Sequence, residues 1–264
     1  MHGQISWHEL TTPNIKEAQA FYSGLLGWTF DGFGPDGKYW LIQNNEVAVG
    51  GLMPKTEETA FPQGWLFYVD VRDVDQAIVT ATKLGGKSLL PPFNMPGVGR
   101  IGVIQDAAGA TVGIMTSEDS SESPMMRPKT GEFCWRTLMT NNTEDAAKFY
   151  REVFGWEVQA LNTGEEKPAK TFVWRGVPVA ALDELPDHIK APPHWGMAVA
   201  VDDCAKSAGR VEKLGGRLLM KPTVLGKMGV NAVLMDVSGA AFLSLFQADI
   251  SAMDKLAIKL GAPA

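Results

Sequence analysis

Residues 7–28, WHELTTPNIKEAQAFYSGLLGW, return as residues 135–156, WRTLMTNNTEDAAKFYREVFGW. Nine of the 22 aligned positions are identical: Trp7/Trp135, Leu10/Leu138, Thr12/Thr140, Asn14/Asn142, Ala18/Ala146, Phe21/Phe149, Tyr22/Tyr150, Gly27/Gly155 and Trp28/Trp156. The separation is 128 residues here and becomes 130 further on. It then pairs Trp65 with Trp195, Leu84-Gly85-Gly86 with Leu214-Gly215-Gly216, Pro92 with Pro222, Asp106 with Asp236 and Gly109 with Gly239. A repeat on this scale means duplication of a whole folding unit. We therefore expect one domain over 1–118, a linker over 119–130 rich in Ser, Pro and charge, a second domain over 131–248, and a helical tail over 249–264.

Each half divides again. Ile5–Leu10 reads as a strand, and Ile15, Ala18, Phe21, Tyr22, Leu25 and Leu26 make an apolar helical stripe, with Thr12-Pro13 as its start signal and Gly27 as its stop. Three β-type runs follow, Trp28–Phe33, Lys38–Gln43 and Val47–Met53, separated by turn-forming DGFGPDG and QNNE. The order then repeats: a strand over Trp65–Val71, a helix capped by Asp73 and ended by Gly85-Gly86, and strands at Lys87–Leu90, Ile101–Gln105 and Thr111–Met115. The pattern is βαβββ, twice per half, so the expected class is α+β.

The length of 264 residues fits two domains of ordinary size. The 45% apolar and 20% charged content excludes disorder and collagen. With a net charge of −6 and no Lys/Arg-rich run, a nucleic-acid or anionic-membrane partner is not expected. Two cysteines, Cys134 and Cys204, are too few for a disulfide framework and have no CxxC spacing. No stretch reaches the apolar length of a membrane span, and the start of the chain reads directly as folded sequence, so a cytoplasmic location is expected.

The combination of a helix ending FYxxxLGW, a second ending LGG and a closing strand after DxxG resembles the vicinal oxygen chelate superfamily, which includes glyoxalases, bleomycin-resistance proteins and extradiol dioxygenases. The resemblance covers nearly the whole chain, twice. It implies two tandem glyoxalase-like domains, each a curved mixed sheet of paired βαβββ units around a concave pocket, in a pseudo-dimer that needs no second chain. Metal enzymes of the superfamily place His, Glu or Gln ligands on the first and last strand of each unit. Aligned on the motifs, those positions here are Trp7, Gly51, Leu66 and Gly113, then Trp135, Ala181, Gly196 and Leu243. None offers a metal ligand, so no cofactor is expected.

The remaining chemistry-bearing residues are few. Strand alternation puts Trp7, Ile5, Glu9 and Thr11 on the concave face and His8 on the helix or interface side. Glu9, matched by Thr137, is a candidate base or acceptor, since burial raises a carboxyl pKa. Arg100 is a candidate anion ligand or partner of Glu9. Trp7, Trp65, Trp135 and Trp195 are candidates for an aromatic platform, Tyr68 for a pocket hydroxyl, and His194 for a pocket imidazole. GVGR at 97–100 lacks the spacing of a dinucleotide fingerprint. The leading expectation is a protein that binds a small planar or aromatic compound without metal. The alternative is a glyoxalase-, epimerase- or dioxygenase-type enzyme acting on a small carbonyl or catechol-like substrate, with a divalent metal if the ligand register is shifted.

Overall fold

The structure is a computed structural model that describes residues 2–34, 37–118, 128–161, 163, 168–187 and 189–249. Most of the expected linker and all but the first residue of the expected helical tail lie outside these residues. The first half runs β1 (Ile5–Thr12), α1 (Ile15–Leu26), β2 (Thr29–Phe33), β3 (Tyr39–Asn44), β4 (Val47–Pro54), β5 (Gly64–Asp70), α2 (Val74–Lys83), β6 (Lys87–Met95), β7 (Gly99–Gln105) and β8 (Thr111–Ser117). The second half repeats it as β9 (Phe133–Thr140), α3 (Thr143–Phe154), β10 (Glu157–Leu161), β11 (Ala169–Trp174), β12 (Val177–Glu184), β13 (His194–Ala200), α4 (Cys204–Val211), β14 (Arg217–Leu225), β15 (Gly229–Met235) and β16 (Phe242–Ala248). The fold is α+β, with two curved, unclosed mixed sheets in tandem. No helix among the described residues is long and apolar enough to cross a membrane.

Each sheet has eight strands in the order β2-β3-β4-β1-β5-β8-β7-β6, repeated as β10-β11-β12-β9-β13-β16-β15-β14. The paired first strands of the two units, β1 and β5, run antiparallel at the centre, and each pairs in parallel with the last strand of its own unit. Every unit therefore contributes two neighbouring central strands. In the second sheet the Lys227 amide donates to the Thr163 carbonyl at 3.0 Å, joining the β14–β15 turn to the β10–β11 connection across the cup.

Local chemistry accounts for the helices. Asn14, Asp73, Asn142 and Asp203 cap the N-termini by accepting backbone N–H bonds, and Gly27 and Gly155 end α1 and α3 in the left-handed region at φ 76° and 72°. The cap of α1 is thus Asn14, not Thr12, whose hydroxyl only receives the Asn14 amide at 3.5 Å. In each LGG motif the first glycine ends its helix at positive φ. The second has a different role. A Cβ at Gly86 would collide with the ring of Phe149, and one at Gly216 with the ring of Phe21, so these glycines seat an aromatic ring from the other half.

One apolar core joins the halves. It contains Leu10, Phe21, Tyr22, Trp28 and Phe67 together with Leu138, Phe149, Tyr150, Trp156 and Trp195. Its polar atoms are satisfied in pairs related by the repeat. The Trp28 indole donates to the Gly131 carbonyl at 2.9 Å, and the Trp156 indole to that of Gly3 at 2.7 Å. Trp65 donates to the Tyr22 hydroxyl at 2.9 Å, which donates to Asp236 Oδ2 at 3.1 Å; Trp195 donates to Tyr150 at 2.9 Å, which donates to Asp106 Oδ2 at 3.0 Å. On the same repeat relation His8 meets its own counterpart, Arg136, through a side-chain hydrogen bond, and stacks on Phe133 at 3.9 Å. His8 therefore lies in the interface between the halves.

Burial, followed by the neighbouring Arg136 charge, holds the His8 pKa well below its ordinary 6.5. Because the folded value is depressed, the unfolded chain takes up the proton first, and the contribution of His8 to stability falls as pH drops below about 6.5. In equilibrium urea unfolding, the wild type is expected to lose stability relative to His8→Asn as the pH is lowered from 7.5 to 5, the difference between the two isolating His8 from the other buried groups. Tyr22→Phe removes the shared partner of Trp65 and Asp236 and is expected to lower stability by about 1–3 kcal/mol in the same assay.

Candidate functional site

The face of each sheet turned away from the common core is the one that could hold a ligand. In the first half Glu9 lies opposite Gly51 on β4 and Leu66 on β5, Trp7 lies opposite Tyr68, and Tyr68 opposite Gly113 on β8. These residues share one face. A second, separate apolar cluster covers it: Phe61, Leu66, Tyr68, Ile101, Val103 and Met115, flanked by the half-buried Trp7, Met53 and Val98. Phe33, Phe93 and Met95 are exposed large side chains on β2 and β6, and the Phe33 ring meets that of Tyr39 edge-on at 6.2 Å.

At the centre is a carboxyl held by phenols. Tyr68 donates to Glu9 Oε1 at 3.0 Å, Tyr39 donates to Glu9 Oε2 at 3.3 Å, and the Trp7 indole donates to the Tyr39 hydroxyl at 2.9 Å. Glu9 is only 6% exposed. Burial, opposed by the two tyrosine hydrogen bonds, pushes its pKa up to about 7, so both protonation states are accessible near neutrality. Tyr39 and Tyr68 are both held above the ordinary phenol value by burial and by the Glu9 charge, and they stay protonated donors.

The sequence expectations divide here. The structure puts Trp7, Glu9 and Tyr68 together on the face expected for them. It separates Arg100 from them, because alternation along β7 turns Ile101 and Val103 into the cup and Arg100 to the helix side. There Arg100 makes a bidentate pair with Asp75 of α2 at 2.6 and 2.8 Å and a bond to Asn94 at 3.0 Å. Trp65 and Trp195 are likewise not pocket residues. Each precedes the inward position of its strand by one residue and packs in the common core, Trp65 against Tyr22, Trp28 and Phe133, and Trp195 against Tyr150, Phe172 and Phe67. Ile5 also leaves the concave face, since the β1–β5 register shifts between Ile5 and Trp7.

Tyr39 was not singled out by the sequence reading. Its signal is the glycine at 51: a Cβ there would overlap the Tyr39 hydroxyl, and one at Gly113 would overlap the Tyr68 ring. Each tyrosine thus occupies the volume beside a backbone that carries no side chain. In the second half, strand register makes Ala169 the counterpart of Tyr39, Ala198 that of Tyr68 and Thr137 that of Glu9. Trp135 is retained opposite Ala198, and its face stays partly open. His194 stands on the same face as Gly196, its Nδ1 2.8 Å from the Pro192 carbonyl and its ring 6.4 Å from that of Phe242.

The last strand of the second half stands one residue out of step with the expected position. The first hairpin closes from the Asp106 amide to the Ala110 carbonyl, the second from the Asp236 amide to the Ala241 carbonyl, so the second turn is one residue longer. Val103 pairs with Gly113, but Val233 pairs with Ser244. Ser244, not Leu243, faces the cup; Leu243 is buried in the common core.

A divalent metal, the group that superfamily resemblance implies, does not fit these positions. Trp7, Gly51, Leu66 and Gly113 in one half and Trp135, Ala181, Gly196 and Ser244 in the other include neither imidazole nor carboxylate, which hold such ions. Tyrosine fills the space beside the two glycines, and no three His, Cys, Asp or Glu side chains converge among the described residues.

Residues 4–114 match the family model described as Glyoxalase/Bleomycin resistance protein/Dioxygenase superfamily, and residues 135–243 match that of the Glyoxalase-like domain. The chain is 29% identical over 245 residues to the protein named Putative glyoxylase CFP32 of Mycobacterium tuberculosis, covering 91% of this chain and 93% of that one. It is 28% identical over 262 residues to the anthracycline biosynthesis protein DnrV of Streptomyces peucetius, covering 91% and 92%. The 2,3-dioxygenase LapB of Pseudomonas sp. KL28 has a similar structure, with a TM-score of 0.61 at 15% identity over 93% of this chain and 92% of that one.

The raised Glu9 pKa has a sign that can be tested. A folded-state value of about 7 against an ordinary 4.5 means that the folded protein holds the proton more tightly. Stability is therefore lost as pH rises from about 4.5 through 7, by up to about 3 kcal/mol. Glu9→Gln, neutral and nearly isosteric, is expected to exceed the wild type in urea midpoint at pH 8 and to match it near pH 4. Gly51→Ala, which drives a methyl group into Tyr39, is expected to cost about 1–3 kcal/mol.

Proposed function

The chain belongs to the glyoxalase/bleomycin resistance protein/dioxygenase superfamily, and from that premise we propose that its first half binds a small planar or aromatic compound, without a metal, in the cup floored by Glu9. The observation that carries this reading is the connected set Trp7, Tyr39, Glu9 and Tyr68, a polar centre inside an otherwise apolar concave surface. Such a surface offers ring contact over a wide area and a few placed polar groups for orientation. The buried acid costs stability above neutral pH, as groups retained for binding or chemistry commonly do. The relative named for anthracycline biosynthesis is in keeping with it, since anthracyclines are polycyclic aromatic compounds.

The second half takes a different part. With Ala169 and Ala198 in place of the two tyrosines and Thr137 in place of the acid, its cup has lost the polar centre. Its Trp135 then serves as an apolar wall. One chain supplies both halves of the common core, so the working unit is a monomeric pseudo-dimer, and its partner is a small molecule.

The test is titration of tryptophan fluorescence with a panel of bicyclic and tricyclic aromatic compounds. Binding is expected to quench the Trp7 contribution, so Trp7→Phe should lose most of the ligand-dependent change while Trp135→Phe keeps it. A panel that leaves the wild-type emission unchanged, or a response carried by Trp135, overturns the assignment.

A further inference from the structure

We propose that Glu9, Tyr39 and Tyr68 form a metal-free proton-transfer site that enolises a cyclic ketone, taking the proton from the carbon beside the carbonyl and returning it. The inference rests on the binding reading above, because the ketone must occupy the same cup. It assigns each group of the cluster a separate task.

The two carboxyl oxygens are held unequally. Tyr68 fixes Oε1 at 3.0 Å, while Tyr39 reaches Oε2 at 3.3 Å. The weaker contact is the one a substrate can displace. Tyr39 is half-buried and belongs to β3 beside the exposed Phe33, whereas Tyr68 is buried on a central strand. A ketone entering past Tyr39 brings its carbonyl oxygen to that hydroxyl and its adjacent C–H bond to Oε2. The Trp7 indole, which donates to the Tyr39 oxygen at 2.9 Å, polarises the phenol and makes it a stronger donor.

The step balances without an oxidant or a metal. The C–H bond breaks, an O–H bond forms on Glu9 Oε2, and the electron pair moves into a carbon–carbon double bond as the carbonyl becomes an enolate. Charge leaves the carboxylate and appears on the substrate oxygen, where the Tyr39 hydroxyl accommodates it by hydrogen bonding. The Glu9 proton trades with solvent, and its return to the same face of the carbon regenerates the carboxylate, so the net result is isotope exchange beside the carbonyl. Glu9 is suited to this because burial brings its proton affinity close to neutrality, where a base is most effective. Tyr39 and Glu9 are the catalytic residues, and Tyr68 is a positioning residue.

The second half provides the internal comparison. Thr137, Ala169 and Ala198 keep none of the three functional groups, so the activity belongs to the first cup alone. Among nearby cations, Arg100 is committed to Asp75, and Lys55 donates to the carbonyls of Thr59 and Phe61. Neutral ketones therefore suit the cup better than anionic ones.

The experiment follows deuterium uptake at the acidic carbon of β-tetralone, α-tetralone and acenaphthenone by NMR in heavy water, with binding of the same ketones measured in parallel by tryptophan fluorescence. The wild-type protein is expected to accelerate uptake, with the same rate after dialysis against a chelator. Glu9→Gln should lower the rate at least ~100-fold with binding retained. Glu9→Asp, which keeps the carboxyl but withdraws it, should lower it to a lesser degree and guards against misfolding of the amide variant. Tyr39→Phe should lower the rate more than the affinity. Tyr68→Phe should move the rising limb of the pH profile upward, since it removes a bond that favours ionised Glu9. Loss of exchange on chelation, or exchange that survives Glu9→Gln, overturns the proposal. Binding without exchange overturns this proposal and leaves the binding reading standing. Failure of all three ketones to bind counts against both.

Discussion

Two hydrogen-bond relays tie the halves of this protein together, and the rest of its architecture depends on them. In each, an indole donates to a tyrosine hydroxyl on a helix of the first unit, and that hydroxyl donates to an aspartate in the last hairpin of the other half. The aspartates are not free to serve elsewhere. Asp106 Oδ1 also accepts the amides of Ala108, Gly109 and Ala110, so the same side chain shapes the β7–β8 turn and receives Tyr150. Burial raises the pKa of both Asp106 and Asp236, and the hydrogen bonds compensate their desolvation. A helix of one half is thereby fixed against the hairpin of the other. The apolar core can then be continuous across the repeat, and the opposite face of each sheet is left as a cup.

The two cups differ chemically, whereas the relay and indole residues at the centre of the core are the same in both halves. Core residues such as Tyr22 and Tyr150 or Trp28 and Trp156 sit in a symmetric interface, where changing one member breaks a contact with the other half. The hydrogen bonds that join Trp7, Tyr39, Glu9 and Tyr68 all stay within the first half. Glu9 and Thr137, Tyr39 and Ala169, and Tyr68 and Ala198 could therefore separate chemically without disturbing the interface. The glycines at 51 and 113 belong to the same divergence, since the first cup needs bare backbone to seat two phenol side chains.

Much of this was legible in the chain. The repeat, the βαβββ order, the caps at Asp73 and the glycine stops follow from local spacing and backbone preference, and they gave the correct class and the correct face for Trp7, Glu9, Leu66 and Tyr68. Other expectations failed for tertiary reasons, the register shift that moves Ile5 off the concave face among them. Trp65 and Trp195 are adjacent to inward positions, and in a strand a shift of one residue changes the face. Arg100 found a partner on α2, twenty-five residues earlier in the chain. Leu243 was misplaced because one extra turn residue between Asp236 and Phe242 is invisible when the DxxG motif itself aligns without a gap.

By itself, then, the sequence determined two copies of a twice-repeated unit, the faces of most central strands, and the absence of metal-ligating residue types at the superfamily's positions. These are properties of periodicity and residue chemistry, which are local. Only the tertiary structure decided that Tyr39 joins Glu9 and Tyr68, that His8 meets Arg136, and that Ser244 takes the place expected for Leu243. Each of those depends on which strands lie side by side and in what register, and hydrogen-bond geometry between distant segments sets that register.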